Sequence, residues 1–387
     1  MKFATIFAAL MLTACGIPKA TSFYQNPPVP GAPPGTLIAV EPYSPTVPGA
    51  AAYRVMYNST DTNGDTIPVS GVIYIPLAAA PPHGRNIVAW AHPTTGIAQG
   101  CAPSLDNGGL GALTLAQSIV GLDAFISDGD IVAATDYPGL GAPGIHPYLI
   151  GVGEGRAVID SVRAARTLPG ANISGNYVVW GHSQGGQAAL FAGQIAASYA
   201  PDLKLVGVAA AAPPTNMNIE LTEPFRSNSG RLLASYVYYT WAKTYGVPIT
   251  SIVYPQALPA VQNTISKCIN TLGQAIDAIH AASALNPVFR SHDPNETPPW
   301  PALLTENSPG QMPPGAPLLI VQGSADTTVE PNFTRSFAAA VCARHEVLDY
   351  KELNTGHLTI AIKSSNMVAG WIHDRFRGVK PPDNCKG

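Results

Sequence analysis

The chain reads as an α/β protein: a mostly parallel central sheet flanked by helices, with a helical cap or lid inserted late in the chain. Three observations predict this. Short, continuous apolar runs of strand length recur, as expected of strands covered on both faces. Helical segments separate them, the alternation of a layered α/β sheet. One block, residues 216–305, breaks the alternation with helical, aromatic-bearing sequence and no buried-strand run.

Taken in order, Arg54–Tyr57 and Val69–Ile75 form an antiparallel pair, joined through a loop containing Asn63-Gly64, a strong hairpin signal. Asn86–Ala91 and Asp130–Thr135 follow as buried strands. Gly155–Leu168 has helical spacing, with Val158, Val162, Ala165 and Leu168 on one side and Arg156, Arg163 and Arg166 turned to solvent. Asn176–Trp180 is a strand, Gln187–Ala196 a helix, and between them lies Gly181-His182-Ser183-Gln184-Gly185-Gly186. Leu203–Ala210 is the next strand. The insertion then supplies helical stretches at Leu232–Trp241 and Ala260–Ala284. Pro317–Gln322 and Glu346–Tyr350 return to the sheet, and a last helix covers roughly Leu358–Phe376. The expected organisation is a sheet domain over 49–215 and 306–387, with the cap over 216–305.

The amino-terminal end is of a different kind. Lys2 precedes an apolar run, Phe3–Leu12, too short to span a bilayer, so residues 1–15 read as a secretion signal. Leu12-Thr13-Ala14-Cys15 looks like a bacterial lipobox, making Cys15 the lipidated first residue of the mature chain. The expectation is an exported protein, lipid-anchored at the bacterial cell envelope; the alternative is ordinary secretion. Residues 16–48 are rich in proline and suit an extended tether that then lies along the domain. Four cysteines remain, Cys101, Cys268, Cys342 and Cys385, and an even number in an exported chain favours two disulfides, with three possible connectivities. Their spacing does not suit a zinc site. A net charge of −3 with 12% charged residues gives no basic footprint for nucleic acid. A monomer acting on a small-molecule or lipid ester is expected.

The chemistry centres on Ser183. Strand, Gly-x-Ser-x-Gly, helix is the arrangement in which a sharp turn lifts a serine hydroxyl to where a base can reach it. That hydroxyl needs an imidazole to take its proton, and the imidazole needs a carboxylate to fix its tautomer. Asp326, just past the strand at Pro317–Gln322, and His357, just past the next one, both fall on loops at the strand edge that carries Ser183. His182 is read as packing away from the hydroxyl, His373 as surface or structural, Asp136 as a loop acid and His92 as a shaping residue. Two backbone N–H donors are needed for the oxyanion. Gln184 supplies one; Thr94 or Thr95, beyond Pro93, supplies the other, with a threonine hydroxyl as a further donor.

Ser183, Asp326 and His357 in these settings resemble the α/β-hydrolase superfamily. Ala91-His92-Pro93-Thr94-Thr95-Gly96 with Cys101-Ala102-Pro103-Ser104, and Thr135-Asp136-Tyr137-Pro138-Gly139-Leu140-Gly141, resemble its secretory lipase group, typified by Candida lipase A. The elbow carries His182 and Gln184 where that group more often has Tyr and Gly. The resemblance, over roughly residues 50–380, implies the α/β-hydrolase fold with a helical cap, no cofactor, and ester hydrolysis on acyl substrates. It also implies pairing of Cys101 with Cys268 and Cys342 with Cys385. A serine peptidase or acyltransferase on the same three residues is the alternative, and a surface binding lipoprotein that has lost the reaction is a more distant one.

Overall fold

The computed structural model describes residues 21–44, 46–105, 119–221 and 227–385. Residues 1–15, expected above to be a secretion signal ending at Cys15, lie outside them. Nine strands form one sheet: β1 (Leu37–Pro42), β2 (Ala50–Thr60), β3 (Thr66–Pro76), β4 (Arg85–Ala91), β5 (Ile131–Thr135), β6 (Ile173–His182), β7 (Lys204–Ala211), β8 (Leu318–Gly323) and β9 (Leu348–Leu353). Their order is β1-β2-β3-β5-β4-β6-β7-β8-β9. The β1–β2, β2–β3 and β3–β5 pairs are antiparallel and every later pair is parallel.

The apolar runs work as the two-sided burial argument requires. In β4, Ile87, Ala89 and Ala91 face one core while Val88 and Trp90 face another. In β6, Tyr177 and Val179 join the first core, and Val178 and Trp180 the second. Successive side chains of a strand point to opposite faces, so a strand with cores on both sides must be apolar at every position. Helices α2 (Gly151–Ala165), α3 (Gln184–Tyr199) and α9 (Pro331–Ala343) cover the first face. Helices α1 (Leu122–Ser127) and α10 (His357–Phe376) cover the second.

Between β7 and β8 the chain builds α4 (Met217–Glu220), α5 (Asn228–Thr244), α6 (Leu258–Ile265), α7 (Leu272–Ser283) and α8 (Trp300–Glu306). These helices share an apolar cluster of their own, including Tyr236, Trp241, Val261, Ala278 and Leu304, which also takes in Ile97, Tyr148, Leu149 and Ile150 from the sheet side.

Four local readings change. The proline-rich stretch contains β1, and Tyr24 within it is fully buried, its hydroxyl 2.8 Å from Ser104 Oγ. The helix expected over 155–168 starts at Gly151 and ends at Ala165. Arg163 is not free in solvent: it donates to Asp160, Asp202 and the Tyr199 carbonyl. The stretch 260–284 is two helices, because Cys268 between them is bonded to Cys101 and bridges Gly96, and Thr271 with Gln274 forms a capping box that starts α7. The second disulfide joins Cys342 to Cys385.

Candidate active site

Ser183 follows β6, Asp326 follows β8 and His357 opens α10 just after β9. These strands run parallel, so all three residues stand at one edge of the sheet, where ligands sit in open α/β sheets. Ser183 has φ 56° and ψ −121°, a sparsely populated conformation held in place by its neighbours. Its N–H bonds to the Ala211 carbonyl at 2.9 Å. The turn closes only because two positions lack side chains. A Cβ on Gly181 would come within 2.0 Å of the Gly185 oxygen, and one on Gly185 within 1.9 Å of the Ala91 oxygen.

The Ser183 hydroxyl donates to His357 Nε2 at 2.8 Å, and His357 Nδ1–H donates to Asp326 Oδ2 at 2.7 Å. Asp326 Oδ1 accepts from the N–H groups of Thr328 and Val329 at 2.8 and 2.9 Å, and Gln322 Nε2 donates to Oδ2 at 3.2 Å. Burial would raise the Asp326 carboxyl, but His357 and these two N–H groups outweigh it and hold it below the usual carboxylate range. Geometry and charge therefore both favour an ionised Asp326 fixing the tautomer in which Nε2 accepts the serine proton.

The competing residues have other partners. His182 turns from the serine and its Nε2–H donates to the His357 carbonyl at 3.0 Å. Burial and the nearby His357 push His182 down to about 3, so it stays neutral. Asp136 accepts from Ser70 and from the Ser104 N–H, tying β3 to the loop after β4. The His92 ring lies between the carbonyls of Pro93 and Asp136. His373 pairs with Asp128 at the surface.

The secretory lipase family profile matches residues 110–246. The chain is 25% identical to lipase A of Arthroderma benhamiae over 95% of this chain and 82% of that one. It is 24% identical to a probable inactive lipase of Mycobacterium tuberculosis, over 84% and 74% of the two chains. Among solved structures it resembles Candida antarctica lipase A, with a TM-score of 0.78 at 20% identity over 96% and 89% of the two chains. The chain is thus similar in sequence to secretory lipases, and its fold is that of the α/β-hydrolases.

The residue after the serine is anchored by a buried polar cluster that sequence reasoning missed. Gln184 Nε2 donates to Glu154 Oε1 at 2.7 Å and to His146 Nε2 at 2.8 Å, and the His146 Nδ1–H donates to the Pro138 carbonyl. Glu154 Oε1 also accepts the N–H of Leu149, whose φ of 55° is itself strained. Burial pushes the Glu154 carboxyl up to about 8, against the pull of Gln184 and the Leu149 N–H, and pushes His146 down to about 3. The only signal in the sequence was Glu154 in the first turn of α2, which periodicity alone cannot distinguish from a solvent-facing acid.

Gln184 opens α3, and the first N–H groups of a helix have no intrahelical partner. Thr94 donates or accepts through its hydroxyl with Tyr148 at 2.9 Å, whereas Thr95 is fully buried and its carbonyl accepts the Ile269 N–H. A cavity of about 90 Å³ opens beside Ser183 and Gln184. Its walls come from the sheet side (Tyr148, Thr327) and from the inserted helices (Met217, Leu221, Leu233, Val237). Among the described residues, no group of three or more His, Cys, Asp or Glu side chains is placed to hold a metal ion.

Proposed function

We propose that this protein, similar to secretory lipases, is a serine carboxylic-ester hydrolase working through an acyl-enzyme. The observation that carries the reading is the continuous hydrogen-bonded chain Ser183–His357–Asp326, at 2.8 and 2.7 Å. Ser183 attacks the ester carbonyl as His357 takes its proton. His357 then protonates the departing alcohol, Asp326 steadying the imidazolium. Water, activated by the same imidazole, attacks the acyl-enzyme and releases the acid. The oxyanion is held by the Gln184 N–H with Thr94 or Thr95. Residues 216–305 act as a cap that sets which acyl groups enter, and Cys15 carries a lipid anchor that keeps the enzyme at the envelope of its cell. Among the described residues no helix is long and apolar enough to cross a membrane, which is compatible with a lipid anchor and with free secretion alike.

The test is hydrolysis of nitrophenyl esters of two to sixteen acyl carbons by wild type and Ser183→Ala. Activity abolished by the substitution, with a profile peaking at short chains because the cavity holds only about 90 Å³, is the expected result. Equal inertness of both proteins on every ester would overturn the reading in favour of amide substrates or a binding role. Labelling of Cys15 by a radioactive fatty acid in cells, lost in Cys15→Ser, tests the anchor.

A further inference from the structure

The cavity beside Ser183 is not a plain acyl slot: Glu220, the last residue of α4, lines it together with Leu221, Leu233 and Val237. Its position is fixed, because Oε1 accepts the N–H groups of Thr215 and Asn216 at 2.8 and 2.9 Å. That accounts for one carboxyl oxygen. The other, Oε2, accepts no hydrogen bond from the described residues, and the side chain is only half-buried, open to the cavity. Burial pushes the Glu220 carboxyl up to about 7 against the two backbone donors, with the charge of Asp326 adding to the rise. Reaching back to the N–H groups at the start of α4 needs only one acceptor oxygen, which a Gln supplies as well as a Glu. A carboxyl that lines this cavity and keeps one oxygen without a partner among the described residues has a further consequence. A wholly apolar substrate strips water from Oε2 and returns nothing, whereas a donor on the substrate replaces that water.

We propose that Glu220 selects esters carrying a hydrogen-bond donor, a hydroxyl or a protonated amine, in the part of the substrate that enters this cavity. The inference rests on the ester-hydrolase reading and names the substrate class within it. Simple alkyl esters are then the poorer substrates.

The experiment compares kcat/KM within isosteric pairs at pH 7.5, for wild type and Glu220→Gln. On the alcohol side, 2-hydroxyethyl acetate is set against propyl acetate, and 2-(dimethylamino)ethyl acetate against 3-methylbutyl acetate. On the acyl side, ethyl 3-hydroxybutanoate is set against ethyl 3-methylbutanoate. Glutamine keeps Oε1 as acceptor for Thr215 and Asn216 and removes the acceptor at Oε2. Reading ratios divides out any general change in activity. Wild type should favour the donor-bearing member of at least one pair by about tenfold, and Glu220→Gln should lose that preference. Preference confined to the amine pair identifies an ammonium; preference in a hydroxyl pair identifies an alcohol. Absence of any preference in wild type, or the same preference in the variant, overturns the proposal whatever the variant's stability. If wild type hydrolyses none of the six esters, the ester-hydrolase reading itself has failed.

Discussion

At Asp326 one oxygen is saturated by two backbone N–H groups and the other is committed to His357 and Gln322. In the proposed mechanism it is an orienting anion, its position already fixed by these bonds. Asp326→Asn should therefore leave the fold intact and lower kcat by about 10⁴, since the amide favours the wrong imidazole tautomer. Steady-state kinetics on a short nitrophenyl ester decide the point, and a loss under tenfold would remove Asp326 from its role. Glu154 offers a different test. Its carboxyl has its usual value near 4.5 in the unfolded chain and is pushed up to about 8 by burial in the fold. Folding favours the protonated form, so the contribution is complete below pH 4.5 and is lost as pH rises through 8. Urea midpoints should fall across that window in wild type, and the fall should be shallower in Glu154→Gln.

At the scale of elements, the strand–turn–helix around Ser183 depends on close backbone approach more than on any side chain. Gly185→Ala drives a Cβ into the Ala91 and His92 carbonyls, backbone that has nowhere to go. Overpacking of this kind should cost about 3 kcal/mol or more. Gly186→Ala, whose Cβ would sit 3.1 Å from Ala211 and Pro213 atoms, asks only a small shift and should cost about 1 kcal/mol. Thermal unfolding of both variants checks the order; Gly186→Ala being the worse of the two would show that the elbow yields where it is expected to be rigid. This is also where the sequence was most readable. Buried parallel strands are apolar at every position, so β4, β5, β6, β7 and β8 stood out from polar surroundings. β1 did not, because its apolar run, Leu37–Val40, is short and lies in a proline-rich stretch that reads as a tether. The break between α6 and α7 was visible only as Thr271 and Gln274, a capping signal inside a stretch that otherwise reads as one helix. That Ser183, His357 and Asp326 come together followed from their order and loop positions. Glu220 and the Glu154–Gln184–His146 cluster could not, because their surroundings are assembled by packing between segments far apart in the chain.

Across the whole molecule, the two disulfides differ in what they tie. Cys342–Cys385 closes a separation of 43 residues and clips the tail beside β9; Cys101–Cys268 closes 167 residues and joins the loop after β4 to the inserted helices. In the chain-entropy description the longer closure is worth about 1 kcal/mol more. Beside it, the Ile269 N–H bonds to the Thr95 carbonyl, so the same tie runs next to a proposed oxyanion donor. Replacing Cys101 and Cys268 together by Ala should lower both the melting temperature and kcat, while the Cys342/Cys385 double replacement should lower the melting temperature less and leave kcat within about twofold. Scanning calorimetry and ester kinetics on the two double variants separate these outcomes.

The inserted helices pack around an apolar cluster of their own, while Ser183, Asp326 and His357 hang from strands buried in two others. Descent with modification can therefore treat the two separately. On the ester-hydrolase reading, changes at Met217, Leu221, Leu233 and Val237 would alter which substrates fit, whereas disturbing β6 or β8 would displace Ser183 or Asp326. Divergent appetites built on a shared reaction are what such a division of labour permits.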